Sequence, residues 1–142
     1  MKKALITGAN GLLGQALIRT FRKDYQTVGC DLADTYFDSE RPPAEYLKLD
    51  ITRRNDVLRV CGDLRPDIIL NAAAFTDVDE SEKDRERCWN VNVRGVEFLE
   101  EVCKLHNMLF VQLSTDYVFD GTAGPYAETD EPKPLGYYGL TK

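Results

Sequence analysis

Two groups of residues in this sequence could do chemistry together. Thr7-Gly8-Ala9-Asn10-Gly11-Leu12-Leu13-Gly14 sets three glycines at three-residue intervals. Glycine at the first position permits a tight turn, at the second lets backbone approach a bound pyrophosphate, and at the third lets a helix pack closely on a strand. A helix starting at such a turn offers free N–H groups and a positive dipole end to phosphate. At the other end, Tyr138-Gly139-Leu140-Thr141-Lys142 places a phenol and an ammonium one helical turn apart on one face. An ammonium beside a phenol favours the phenolate, which suits the phenol to proton transfer.

The elements that must position these groups follow from hydrophobic periodicity. Lys3–Thr7 is a short apolar run ending at Gly8, and Leu13, Ala16, Leu17, Thr20 and Phe21 then recur at helical spacing. Thr27–Cys30 and Tyr46–Leu49 read as strands separated by a polar loop carrying Pro42 and Pro43. A helix over Arg53–Asp63 is expected after a Thr52 cap, then a strand at Asp67–Leu70. Trp89, Val93, Val96, Leu99 and Val102 predict one long helix from about Glu82 to His106, with a fifth strand at Met108–Leu113 and a loop from Ser114 to Gly136. Strands that are almost continuously apolar and alternate with helices predict a doubly wound parallel sheet, an α/β fold of Rossmann type.

Asp31 ends the second strand, where a carboxylate can accept hydrogen bonds from an adenosine ribose or serve as a turn residue. It would repel a 2′-phosphate, and no Lys or Arg occurs from Leu32 to Glu40 to offset it, so NADH is expected in preference to NADPH. A basic residue from elsewhere in the fold would reverse that preference. Twenty-four acidic against 18 basic residues disfavour nucleic acid as a partner, and no apolar run is long enough for a membrane span or secretory signal. The chain is expected to be cytoplasmic. Cys30, Cys61, Cys88 and Cys103 are scattered, with His106 the one histidine, so they read as reduced, buried thiols and no metal is expected. The acidic cluster Asp77, Asp79, Glu80 and Glu82 reads as a helix start.

The glycine turn, Asp50-Ile51, Asn71-Ala72-Ala73-Ala74, Val91-Asn92-Val93-Arg94-Gly95 and the Tyr138/Lys142 pair together resemble an extended short-chain dehydrogenase/reductase. Within that group, Asn71 to Asp79, Ser114 to Gly121, Glu128 and Pro134-Leu135 are similar to the dTDP-4-dehydrorhamnose reductases. The resemblance implies that Thr115, Tyr138 and Lys142 are catalytic: a hydroxyl on the reacting oxygen, a proton donor, and a lysine that binds ribose and tunes the phenol. It implies that Gly8, Gly11 and Gly14, with Asn10, Leu12 and Leu13 between them, hold the cofactor pyrophosphate. Asp50 and Ile51 would lie by the adenine, and Ala72, Ala73 and Ala74 would line the cofactor groove. Asn92 would support the active site beside the cofactor, or be a mid-helix residue turned to a backbone carbonyl. Thr76, Thr115, Asp116 and Tyr117 would face a nucleotide-sugar substrate, or Asp116 and Tyr117 would belong to a structured loop after the fifth strand.

The reaction so implied is reduction of the 4-keto group of dTDP-4-dehydrorhamnose to dTDP-L-rhamnose by NADH or NADPH. Two rivals stand beside it. A regulatory subunit of methionine adenosyltransferase has a very similar Asp116–Gly121 region and would bind dinucleotide without turnover, and a sister epimerase or dehydratase would act on another nucleotide sugar. Family members run about twice this length. The helical signal from Tyr137 reaches the last residue, Lys142, so the expectation is an incomplete dinucleotide-binding domain over residues 1–142, truncated before its C-terminal strands and substrate lobe. The long helix from Glu82 would allow a homodimer.

Overall fold

In the computed structural model, which describes residues 1–142, the apolar run Lys3–Thr7 is strand β1, at the centre of a five-stranded parallel sheet. The other strands are β2 (Gln26–Asp31), β3 (Glu45–Lys48), β4 (Ile68–Asn71) and β5 (Leu109–Gln112), in the order β3-β2-β1-β4-β5. The helices are α1 (Leu12–Phe21), α2 (Arg54–Leu64), α3 (Val78–Lys83), α4 (Arg85–Trp89), α5 (Gly95–His106) and α6 (Tyr137–Leu140). Side chains alternate across each strand, so both sheet faces need cover. Leu5 and Ile69 pack with Val57, Cys61, Leu99 and Val102 of α2 and α5, whereas Ala4, Ile6, Ile68 and Leu70 pack with Ile18 of α1. No helix is long and apolar enough to cross a membrane.

The strand order reverses between β1 and β4, which makes the carboxyl ends of these strands the crevice where doubly wound sheets bind ligands. Thr7 stands there beside Asn71, and Asn71 beside Gln112. Their side chains form a directed chain: the Thr7 hydroxyl donates to Asn71 Oδ1, and Asn71 Nδ2 donates to Gln112 Oε1 at 2.7 Å. Polar groups at the buried end of the sheet are thereby paired, which avoids the cost of leaving them unsatisfied.

Three expectations are corrected. Thr52 does not cap α2: its N–H and hydroxyl both donate to Asp50 Oδ1, at 3.0 and 2.7 Å, and the helix starts at Arg54. The single helix expected from Glu82 to His106 is divided into the end of α3, then α4, a π-helical turn at Asn90–Arg94, and α5. Asp84 causes the first break, because its carboxylate accepts the Arg87 N–H at 3.1 Å and caps a new helix. The π turn falls at buried Asn92, whose amide bonds outside the helix. The stretch Ser114–Gly136, expected as loop throughout, contains a 3₁₀ turn at Asp116–Val118.

Candidate active site

Each glycine of the first turn meets a different constraint. Gly8 has φ +62°, and a Cβ there would lie 2.7 Å from the backbone of Ala72 and Ala73. A Cβ on Gly14 would lie 2.1 Å from the Gly8 carbonyl oxygen, so α1 rests directly on the turn. At Gly11 the same atom would meet only the Gly8 oxygen, at 3.2 Å, and otherwise open space. Gly11 is the N-cap of α1 and supplies no side-chain partner, and no acidic residue stands in the first helical turn. The leading N–H groups of α1 are therefore left for an anion from outside the chain.

The turn opens into a groove of about 710 Å³, within the range of cofactor sites. Of the residues expected to hold cofactor, Gly8, Asn10, Gly11, Leu12, Leu13 and Gly14 line it at one side. Asp31, Asp50, Ile51, Ala72, Ala73 and Ala74 line it too, with Thr76 from the expected substrate set and with Tyr138 and Lys142. Lys142 follows α6, its N–H donating to Gly139 O at 3.2 Å, and burial lowers the pKa of its ammonium. A desolvated lysine at a cleft is a mark of functional sites. An uncapped helix start, an open glycine face and this lysine on one groove fit a dinucleotide phosphate and ribose.

Several side chains are already engaged. The Asp31 carboxylate accepts the Asn10 N–H at 2.9 Å and the Leu32 N–H at 2.7 Å. The Asn10 amide donates to Thr35 O and the Tyr46 hydroxyl, both at 3.1 Å, and accepts the Phe37 N–H at 2.9 Å. Asn10 thus uses its side chain to tie the loop after β2 against the turn, and that loop brings Leu32 and Phe37 into the groove wall.

Four expected residues lie outside the groove wall. Asn92 is buried: its Nδ2 donates to Phe75 O and Thr141 Oγ1, each at 3.0 Å, and its Oδ1 accepts the Phe75 N–H at 2.8 Å. Asn92 therefore joins the strand-end loop to α6 through Thr141, whose hydroxyl donates to Tyr138 O at 2.8 Å. Thr115 caps the 3₁₀ turn, its Oγ1 accepting the Tyr117 N–H at 3.3 Å and donating to Asp116 Oδ1 at 3.2 Å. Its neighbour Ser114 lines the groove instead. Tyr117 meets Tyr138 edge-on, ring centroids 5.7 Å apart. Sequence reasoning missed Leu32, Phe37, Thr52, Phe75, Arg87, Val91 and Ser114. Phe75, Val91 and Ser114 belong to quoted motifs and were within reach; Arg87 carries no local signal. Arg87 lies over the Phe75 ring at 5.5 Å, and with Lys142 it is one of two basic side chains on the groove.

This fold and site define a Rossmann-type domain of the short-chain dehydrogenase/reductase kind. The chain belongs to the family described as the RmlD substrate binding domain, whose model matches residues 1–142. It is 38% identical to the dTDP-4-dehydrorhamnose reductase of Aggregatibacter actinomycetemcomitans, over 100% of this chain and 45% of that protein. It is also 38% identical to the methionine adenosyltransferase 2 subunit beta of Mus musculus, over 99% of this chain and 40% of that one. Among solved structures, the dTDP-4-dehydrorhamnose reductase of Bacillus anthracis in complex with NADP superposes with a TM-score of 0.83 at 34% identity, covering 99% of this chain and 46% of that one. The chain thus spans about half the length of the curated relatives it matches.

Proposed function

We propose that residues 1–142 form the dinucleotide-binding domain of a cytoplasmic dTDP-4-dehydrorhamnose reductase. The observation that carries this reading is one groove joining the uncapped start of α1 to Tyr138 and Lys142. In this reading the α1 N–H groups and Gly11 hold the pyrophosphate, Asp31 takes the adenosine ribose, and Asp50 and Ile51 lie by the adenine. The groove side chains of Ala72, Ala73 and Ala74 are small enough to admit a flat ring system. A bound nicotinamide dinucleotide supplies the hydride. Tyr138 Oη gives the proton to the oxygen of the 4-keto group, and the Lys142 ammonium binds ribose hydroxyls and favours the phenolate left behind. Thr115, turned from its place in the 3₁₀ turn, hydrogen-bonds the same oxygen as charge develops. Thr76, Asp116 and Tyr117 face the sugar, and a homodimer through α5 belongs to the same proposal.

Asp31 makes NADH the preferred cofactor, while Arg87 is a cation from elsewhere in the fold that admits NADPH. Asp31→Asn is expected to weaken NADH about 10-fold more than NADPH, the worth of one charge-assisted hydrogen bond. Titration with each cofactor measures it, and equal losses would remove the ribose role. The affinity ratio is the quantity to compare, because this carboxylate also braces the glycine turn.

The likeness to methionine adenosyltransferase 2 subunit beta favours a second reading, a dinucleotide-binding subunit without turnover. Tyr138→Phe separates the two. It removes the proton donor and keeps the ring, so oxidation of NADH by dTDP-4-dehydrorhamnose is expected to fall by about 100-fold or more with cofactor affinity retained. Tyr138→Phe with cofactor oxidation unchanged would favour the second reading.

A further inference from the structure

The four-residue helix α6 carries Tyr138 and is too short to hold its own position. Its N-cap, Gly136, offers no side chain. The first helical N–H, that of Tyr137, donates instead to Glu82 Oε1 of α3 at 2.7 Å, across 55 residues of sequence. The other oxygen, Glu82 Oε2, accepts from Arg85 Nη2 of α4 at 2.7 Å. The same guanidinium lies over the Tyr137 ring, 4.9 Å from its centroid. A Cβ on Gly136 would come within 3.4 Å of Glu82 Oε1, so glycine leaves the carboxylate its approach. Glu82 and Arg85 do not line the groove; they grip the residue next to Tyr138.

We propose that Glu82, braced by Arg85, is a positioning residue that fixes α6 from its N-terminal end and so holds the Tyr138 hydroxyl at the groove. The Asn92–Thr141 contact holds the other end of the helix. Glu82 and Arg85 flank the break after Lys83 and both meet Tyr137. The catalytic consequence rests on the reductase reading above, whereas the clamp itself does not.

The test uses Glu82→Ala and Glu82→Gln, because the glutamine carbonyl can still accept the Tyr137 N–H. Hydrogen exchange in the protein without cofactor is read at amides 137–141 and, as reference, in β1 and β4. Glu82→Ala is expected to speed exchange at 137–141 about 10-fold, the effect of losing one charge-assisted hydrogen bond, with β1 and β4 unchanged. Glu82→Gln is expected to restore most of that protection. Unchanged exchange at 137–141 in Glu82→Ala, or faster exchange spread equally over the sheet, would overturn the clamp. In turnover, Glu82→Ala is expected to lower kcat with KM for the dinucleotide unchanged, and Glu82→Gln to recover it; a change confined to KM would overturn the positioning role. Failure of the unmodified protein to turn over counts against the reductase reading alone, and the exchange comparison still decides the clamp.

Discussion

Gly11→Val is expected to leave the domain folded and to remove dinucleotide binding, while Gly14→Ala, three residues on, is expected to damage the fold. Gly11 has φ −69° and ψ 164°, extended values open to any residue, and its Cβ would meet one atom only. The valine methyls then occupy the space above the first N–H groups of α1. A loss of at least about 100-fold in NADH affinity is expected, about 2.7 kcal/mol, with little change in the unfolding midpoint. At Gly14 two effects oppose each other. Alanine in a helix interior gains about 1 kcal/mol over glycine. The added carbon, however, would stand 2.1 Å from Gly8 O and 2.8 Å from Ala9 Cα, both backbone atoms of a turn that cannot yield without moving α1 off β1. Overpacking of this kind costs about 1–3 kcal/mol and sometimes more, so the balance is a net loss. Thermal unfolding and cofactor titration on both variants check the pair. Normal NADH binding by Gly11→Val would remove the pyrophosphate from this turn, and a stabilised Gly14→Ala would refute the tight contact.

Gly139→Ala is expected to lower turnover about 100-fold while hardly shifting the unfolding midpoint. The Cβ would lie 2.2 Å from Tyr117 O and 3.0 Å from Pro134 Cβ, so α6 has to part from the 3₁₀ turn. That seam carries the edge-on contact between Tyr117 and Tyr138. A misplacement of about 1 Å in a reacting group can cost about 100-fold, whereas α6 is a single short turn that adds little to global stability. Steady-state kinetics beside a melting curve tests this. Retained turnover would mean that the Tyr138 hydroxyl does not depend on the seam.

The fold was legible because its signals are local. Four of five strands are runs bounded by Gly, Asp or Asn, and the glycine spacing announces the β1–α1 turn without reference to anything distant. The helix expected over Glu82–His106 failed for a reason that is only partly local. Asp84 was readable as a cap, but the π turn answers to Phe75 and Thr141, far away in sequence. Thr115 and Asn92 show a limit at the site. Motif position named them; Asn92 then bonds Phe75 and Thr141, outside its own motif, whereas Thr115 is spent on Asp116 and Tyr117 beside it instead of facing the groove.

The sequence by itself determined the class of the fold, the glycine turn between β1 and α1 and the acid at the end of β2, since periodicity and backbone freedom act within a few residues. Tertiary structure alone decided that Arg87 reaches the groove, that Asn10 is spent on the loop after β2, and that Glu82 serves α6 and not its own helix. These are contacts between segments brought together by burying both faces of one sheet, and no spacing along the chain encodes which side chains then meet.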